Sequence, residues 1–217
     1  MVAVAGVVEA YPDLARRIMD RPARLGRTRL IAVDGPSGAG KTHFAERLAD
    51  TLQALVPDRD RPPIVHTDDL LAGWADQFTF WPRLEEQVLA PIRAGHPGHY
   101  RCYDWDRGCF TSNWTTVPAA PVVILEGVSV ARSAVRAELT LSVFVTAPDQ
   151  LRLDRALARD GVAIRPYLEE WRRGELIHFA ADATVEHVDL MIDGASDLPH
   201  DPGVHYVRLS PRRAESP

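Results

Sequence analysis

From Val33 to Thr42 the chain reads "VDGPSGAGKT", three glycines, a lysine and two hydroxyl residues placed directly behind the apolar run "RLIAV". Among 25 basic residues Lys41 is the only lysine, and every other one is arginine. Elsewhere the chain takes a planar guanidinium; in the glycine loop it keeps a compact ammonium on a thin stem, the shape that enters a cradle of phosphate oxygens. Gly35 to Thr42 fits the pattern G-x-x-x-x-G-K-[ST]. In that pattern the glycines let successive backbone N–H groups turn toward an anion, and the next helix aims its positive end at it. The residues expected to hold a nucleoside triphosphate are therefore Gly35, Ser37, Gly38, Ala39, Gly40, Lys41, Thr42 and His43. Lys41 is assigned to the β and γ phosphates, and Thr42 to Mg²⁺ through its hydroxyl.

Such a loop needs a strand before it and a helix behind it, and the flanking pattern supplies both. "TRLIAV" reads as a buried strand, and Phe44, Leu48, Leu52 and Leu55 form a helical stripe. Further strands are expected at "PPIVHTDD", "PVVILEGV", "ELTLSVFVTAP" and "VDLMIDG", with "VHYVRL" as a sixth or edge strand. Between them, "PRLEEQVLAPIRAG", "PDQLRLDRALARDG" and "PYLEEWRRGELIHFAADATVEH" read as helices. The predicted fold class is α/β, a P-loop nucleotide-binding fold. Its parallel sheet has five, or six, strands and helices on both faces. The expected organisation is a helical extension over residues 1–28 and a single domain over 29–210. Within the domain a small acceptor and lid region covers about 70–118, and a frayed tail covers 211–217.

A chain of 217 residues with a net charge of -5 gives no reason to expect a nucleic-acid or anionic-membrane partner. No apolar run approaches the roughly 20 residues needed to span a bilayer. The opening "MVAVAGVV" lacks a basic stretch, so no signal peptide is expected. The two cysteines, Cys102 and Cys109, have neither redox nor zinc spacing, and reduced thiols in a cytoplasmic protein are expected. A homodimer stays open.

Ligands in parallel sheets bind beyond the carboxyl ends of the strands, where Asp34, Asp68 and Glu126 all fall. Glu126, closing the apolar "VVILE", is expected to hold the metal or a water on it. Asp68 is expected to take the proton of an acceptor hydroxyl, with the adjacent Asp69 as a helix cap. Arg155 and Arg159, four residues apart, would close over the transferring phosphoryl, with Arg165 just beyond. Guanine recognition by Asn-Lys-x-Asp is impossible in a chain whose only lysine is Lys41. "GWADQFTFW" carries Trp74, Phe78, Phe80 and Trp81, read equally as a stacking surface or as core. His43, His66 and His178 lack ligand spacing with one another, and packing or surface roles are expected for all three as regards metals.

Taken in order, "GPSGAGKT", "HTDDLLAGW", "HYRCYDWDRG", "VVILEGV", "RALARDG" and "VDLMIDG" resemble the uridine kinase and phosphoribulokinase family of P-loop kinases over residues 29–193. The resemblance implies phosphorylation of a small-molecule hydroxyl with ATP and Mg²⁺. It implies Asp68 as the catalytic aspartate, Glu126 in the Leu-Glu-Gly strand end, and Arg155 and Arg159 in the lid helix. In the acceptor segment Tyr103-Asp104 matches the family, and residues Tyr103 to Arg107, Trp105 among them, are expected to shape acceptor choice, with Trp74 and Arg165 as further candidate substrate contacts. The acceptor segment departs from the uridine kinase pattern. Trp105, Asp106 and Arg107 replace the expected polar set and its histidine, and Leu70-Leu71 stand where Phe-Tyr is usual. Two rival readings remain: a nucleoside-monophosphate kinase similar to cytidylate kinase, using Arg101 and Arg107, and a module that senses ATP without transferring it.

Overall fold

The computed structural model describes residues 4–56 and 60–211. In chain order the strands and helices are β1 (Val4–Ala10), α1 (Tyr11–Asp20), β2 (Arg29–Asp34), α2 (Lys41–Leu55) and β3 (Ile64–His66). A helix follows in two α segments, α3 (Trp81–Leu84) and α4 (Ala90–Arg93), joined by a π-helical turn at Glu85–Leu89. Next come the short strands β4 (Gly98–Tyr100), β5 (Tyr103–Asp104), β6 (Cys109–Phe110) and β7 (Thr115–Val117). The chain continues with β8 (Val122–Glu126), β9 (Leu139–Thr146), α5 (Asp149–Asp160), α6 (Arg165–Asp182), α7 (Thr184–His187), β10 (Leu190–Asp193) and β11 (His205–Pro211).

The main sheet runs β1-β11-β10-β9-β2-β8-β3. From β10 to β3 the strands are parallel; β11 and β1 are added antiparallel at the β10 edge. The sheet thus has seven strands where five or six were expected, and "VHYVRL" takes the sixth place. The addition is Val4–Ala10, expected to belong to a helical extension, which pairs along its whole length with β11. Among the described residues of that extension only the amphipathic stretch behind it, Tyr11–Asp20, is helical, burying Tyr11, Leu14, Ala15 and Ile18. Most of the tail, residues 212–217, lies outside the described residues.

Side chains alternate across the sheet, as the two-residue period of a strand requires. Ile31 and Val33, with Ile124 and Val143, pack under α1 and α2, whose Phe44, Leu48 and Leu52 are buried there. Leu30 and Ala32, with Val123 and Leu125, face the other way, against Leu84, Val88, Leu89 and Ile92. The π turn adds one residue to a helical circuit, and both Val88 and Leu89 are fully buried on it. Between this helix and β8 two small ribbons, β4–β7 and β5–β6, form a flap beside the sheet. Among the described residues no helix is long and apolar enough to cross a membrane. Cys102 and Cys109 are free thiols.

Candidate active site

The glycine loop lies between β2 and α2, at the carboxyl edge of the parallel strands. Gly35 has φ +136°, and a Cβ built on it would lie 2.1 Å from the Val145 carbonyl oxygen, so no other residue fits. Gly40 stands at the N-cap of α2 without a side chain to cap it, leaving the first helical N–H groups facing the loop. Lys41 is only 8% exposed and donates back across the loop to the Pro36 carbonyl at 3.2 Å.

Asp34 does not reach the rim. Wholly buried, it accepts N–H bonds from Gly35 (2.6 Å), Ser129 (2.8 Å) and Ala131 (2.8 Å), tying the loop after β8 to the end of β2. Burial pushes its carboxyl up to about 6, against the pull of those N–H groups and the Lys41 charge. Its work is structural.

Glu126 and His66 are register partners at the ends of β8 and β3. Glu126 is 6% exposed, and its carboxylate meets His66 Nδ1 at 2.7 Å. Burial alone would raise the carboxyl, but the bonds from His66 and Thr42 and the charge of Lys41 hold it below the usual range. The His66 imidazole is shifted up, first by that hydrogen bond. Thr42 and Glu126 are therefore adjacent, a hydroxyl beside an ionised carboxylate and next to the phosphate loop, which is oxygen chemistry suited to Mg²⁺. Among the described residues no three His, Cys, Asp or Glu side chains gather at metal-binding spacing. A cation held by Thr42 and Glu126 would take its remaining ligands from phosphate and water.

Beyond β3, a 3₁₀ turn at Thr67–Leu70 sends the two aspartates apart. Asp69 accepts the Tyr100 hydroxyl at 3.2 Å. Asp68 opens into a cleft of about 590 Å³ shared with Ser37, Arg159, Trp74, Trp105 and Trp171. Gly127 fixes this arrangement, since a Cβ there would lie 1.9 Å from the Thr67 hydroxyl. Asp68 is reached by solvent through the cleft yet ringed by protein. Crowding and the neighbouring Glu126 charge raise its carboxyl, while Lys41 and Arg159 pull it down. One cavity wall thus holds a carboxylate in the combined field of the loop ammonium and a guanidinium.

The opposite wall comes from α6. Glu175, 1% exposed, accepts the Ser37 N–H (2.7 Å) and the Trp171 indole N–H (3.0 Å), and Arg152 approaches it at 3.6 Å. The Trp171 indole also donates to the Ser37 hydroxyl at 3.0 Å. This latch fastens the glycine loop to the helix that lines the cleft.

No protein-family model matches the sequence, and no curated protein matches it as a relative. Solved structures do match in shape. A candidate uridine kinase from Bacillus stearothermophilus superposes with a TM-score of 0.58 at 17% identity, covering 83% of this chain and 96% of that one. A candidate fructose transport system kinase from Silicibacter sp. TM1040 gives 0.50 at 20% identity, and the YGR205w protein 0.52 at 13%; each covers 83% of this chain and 90% of its own. The chain shares the α/β fold of these structures.

On that fold the expected site residues separate into groups. Asp68, Arg159, Trp74 and Trp105 meet in the cleft with Ser37. Lys41, Thr42 and His66 gather around Glu126. Arg155 does not join Arg159: it donates to the Gly38 and Gly194 carbonyls at 3.2 Å, on the outer side of the loop. There it borders a second cavity, about 690 Å³, with Gly40, His43 and the Gly194–Leu198 segment. A helix face shared by two arginines therefore serves two sides of one loop, and the joint lid expected of them is not formed. Arg165 is exposed, and its ion pair among the described residues is to Glu169 at 3.9 Å, one turn along its own helix. Tyr103 packs on Trp105 and Phe110. Asp104 accepts the N–H groups of Asp106 (3.1 Å) and Arg107 (2.9 Å), so it shapes the turn, and Arg107 is exposed. The aromatic segment divides: Phe80 is core, Phe78 stacks on His178, and Trp74 lines the cleft. Missed from sequence were His66, Trp171 and Glu175, whose partners lie far away along the chain.

Proposed function

We propose that the protein is an ATP- and Mg²⁺-dependent kinase of a small-molecule hydroxyl. One observation carries the reading: Asp68 faces the same cleft as the glycine loop's Ser37 and Arg159, in the field of Lys41. The loop amides and Lys41 bind the triphosphate, and the 690 Å³ cavity beside His43 and Arg155 receives the rest of the nucleotide. Thr42 and Glu126 would hold Mg²⁺, which would supply charge neutralisation at the phosphates. Asp68 orients the acceptor hydroxyl and accepts its proton as the acceptor oxygen bonds to the γ-phosphorus. The bond from that phosphorus to the β-γ bridging oxygen breaks, and ADP leaves with the bridging oxygen and its electron pair. Arg159 stabilises charge spread over the transferring group.

Acceptor charge favours an alcohol over a nucleoside monophosphate. Arg101 stands over the Trp114 ring at 5.2 Å, and Arg107 is exposed on its turn, so neither is gathered into an anion pocket. ADP release from ATP and Mg²⁺, measured over a panel of alcohols with and without a phosphate, tests the reading. Acceptor-dependent ADP and a phosphorylated alcohol support it. ATP binding with no acceptor-stimulated turnover anywhere in the panel would indicate a sensor instead.

A further inference from the structure

The acceptor wall of the cleft has a shape and charge unlike a slot for a neutral planar base. Trp74 meets Trp105 at 65° with ring centroids 5.3 Å apart, and meets Trp171 at 88° and 5.7 Å. The three indoles therefore wall a corner. The one near-parallel pair, Trp74 and Tyr167, is closed at 5.6 Å. A ring inserted between two faces needs about 7 Å, twice a carbon–carbon contact. No such gap is present between these rings.

The corner is also acidic. Besides Asp68, the lining includes Asp106 and Asp160, against the single cation Arg159. Arg159 and Asp160 bond each other twice, at 2.8 and 2.7 Å. The Asp106 carboxylate has no hydrogen-bond or salt-bridge partner among the described residues. Elsewhere the protein covers its aromatic faces with its own guanidinium groups: Arg83 on Phe110, Arg101 on Trp114, Arg132 on Phe80 and Trp81. Among the described residues no arginine stands over Trp74, Trp105 or Trp171. Electron-rich ring faces beside a free carboxylate are the recognition chemistry of a compact cation.

We propose that the hydroxyl compound taken by this cleft carries a positive charge, as an amino alcohol, a quaternary ammonium alcohol or an aminated sugar. The ammonium group sits in the indole corner near Asp106, and the hydroxyl reaches Asp68. The assignment rests on the kinase reading for its hydroxyl but not for its charge. Trp105, 41% exposed at the mouth, forms the outer wall, and Trp171 the inner one.

Choline and its neutral carbon isostere 3,3-dimethyl-1-butanol separate charge from shape. Binding of each, followed by tryptophan emission in the presence of ADP, is expected to favour choline by about 5- to 30-fold, the range of a partly to fully desolvated cation–π contact. The preference is expected to shrink at least threefold in Asp106→Asn and in Trp105→Leu. Equal binding, preference for the neutral isostere, binding of neither, or an unchanged preference in both variants would overturn the inference. ADP formation over a panel of uncharged and cationic alcohols keeps the two readings apart. Transfer only to uncharged alcohols overturns the cationic class and leaves the kinase standing. Choline preference without transfer to any alcohol overturns the kinase and leaves the cation site.

Discussion

Replacing Glu175 with glutamine removes one negative charge from the junction between α6 and the glycine loop. Arg152 is itself buried, its Nε has no partner among the described residues, and its other carboxylate contact is the exposed Asp149. Breaking a buried ion pair by removing one partner costs about 3–5 kcal/mol where the remaining charge is left without compensation, and here Asp149 still meets Arg152. Glutamine keeps one oxygen for the Ser37 and Trp171 N–H groups, so the lower end applies, about 3 kcal/mol. In a chain of this size each kcal/mol lowers the melting temperature by about 2–4 °C, giving a fall of about 6–12 °C. Glu175→Ala strands the Ser37 N–H as well, while the Trp171 indole keeps the Ser37 hydroxyl, and the loss is expected to approach 5 kcal/mol. Thermal and urea melts followed by tryptophan emission read both variants. Nucleotide affinity is expected to fall with stability, because the loop loses its anchor at Ser37. If both variants melt within about 2 °C of the parent, the latch carries none of the stability assigned to it.

Three further outcomes follow from the geometry. Gly35→Ala, forced to place a methyl group 2.1 Å from the Val145 carbonyl oxygen at positive φ, is expected to lose nucleotide binding and much of its stability, read by melts with and without ATP. Lys41→Arg preserves charge but not shape, and a loss of ATP affinity of at least tenfold by calorimetry is expected. At Asp182, burial raises the carboxyl, but the N–H of Ser133, the Thr184 hydroxyl and the Arg136 charge outweigh it and hold it below 3.8. The folded state then binds fewer protons than the unfolded one, so this stabilisation is full above about pH 4 and lost as acid protonates the group. Asp182→Asn is therefore expected to cost about 1–2 kcal/mol at pH 7, with the gap to the parent closing in urea melts below pH 4.

The phosphate loop and the strand ends were legible because their constraints are local. A helix N-terminus behind glycines, an apolar strand closed by Glu126, and an aspartate pair after β3 each read within about ten residues. What escaped the sequence depends on partners far apart. His66 was judged by its spacing to other histidines, while its actual partner, Glu126, is 60 residues away and meets it only through strand register. Glu175 and Trp171 looked like ordinary members of an amphipathic helix, yet they reach Ser37 across 138 and 134 residues. β1 was hidden for the same reason, since its ladder partner β11 comes from the other end of the chain. Arg155 shows a different limit. Spacing put it on one helix face with Arg159, but carbonyls of the glycine loop and of Gly194 draw it to the other side.

The central claim is that Asp68 activates a hydroxyl across the cleft from the loop that holds the triphosphate. Single-turnover phosphoryl transfer by Asp68→Asn, with ATP affinity measured on the same sample, tests it most directly. The account predicts a fall of about 10²–10⁴ in the transfer rate, the usual contribution of a positioned base, with ATP affinity changed less than threefold. Transfer at the parental rate by a variant that still binds ATP would contradict it.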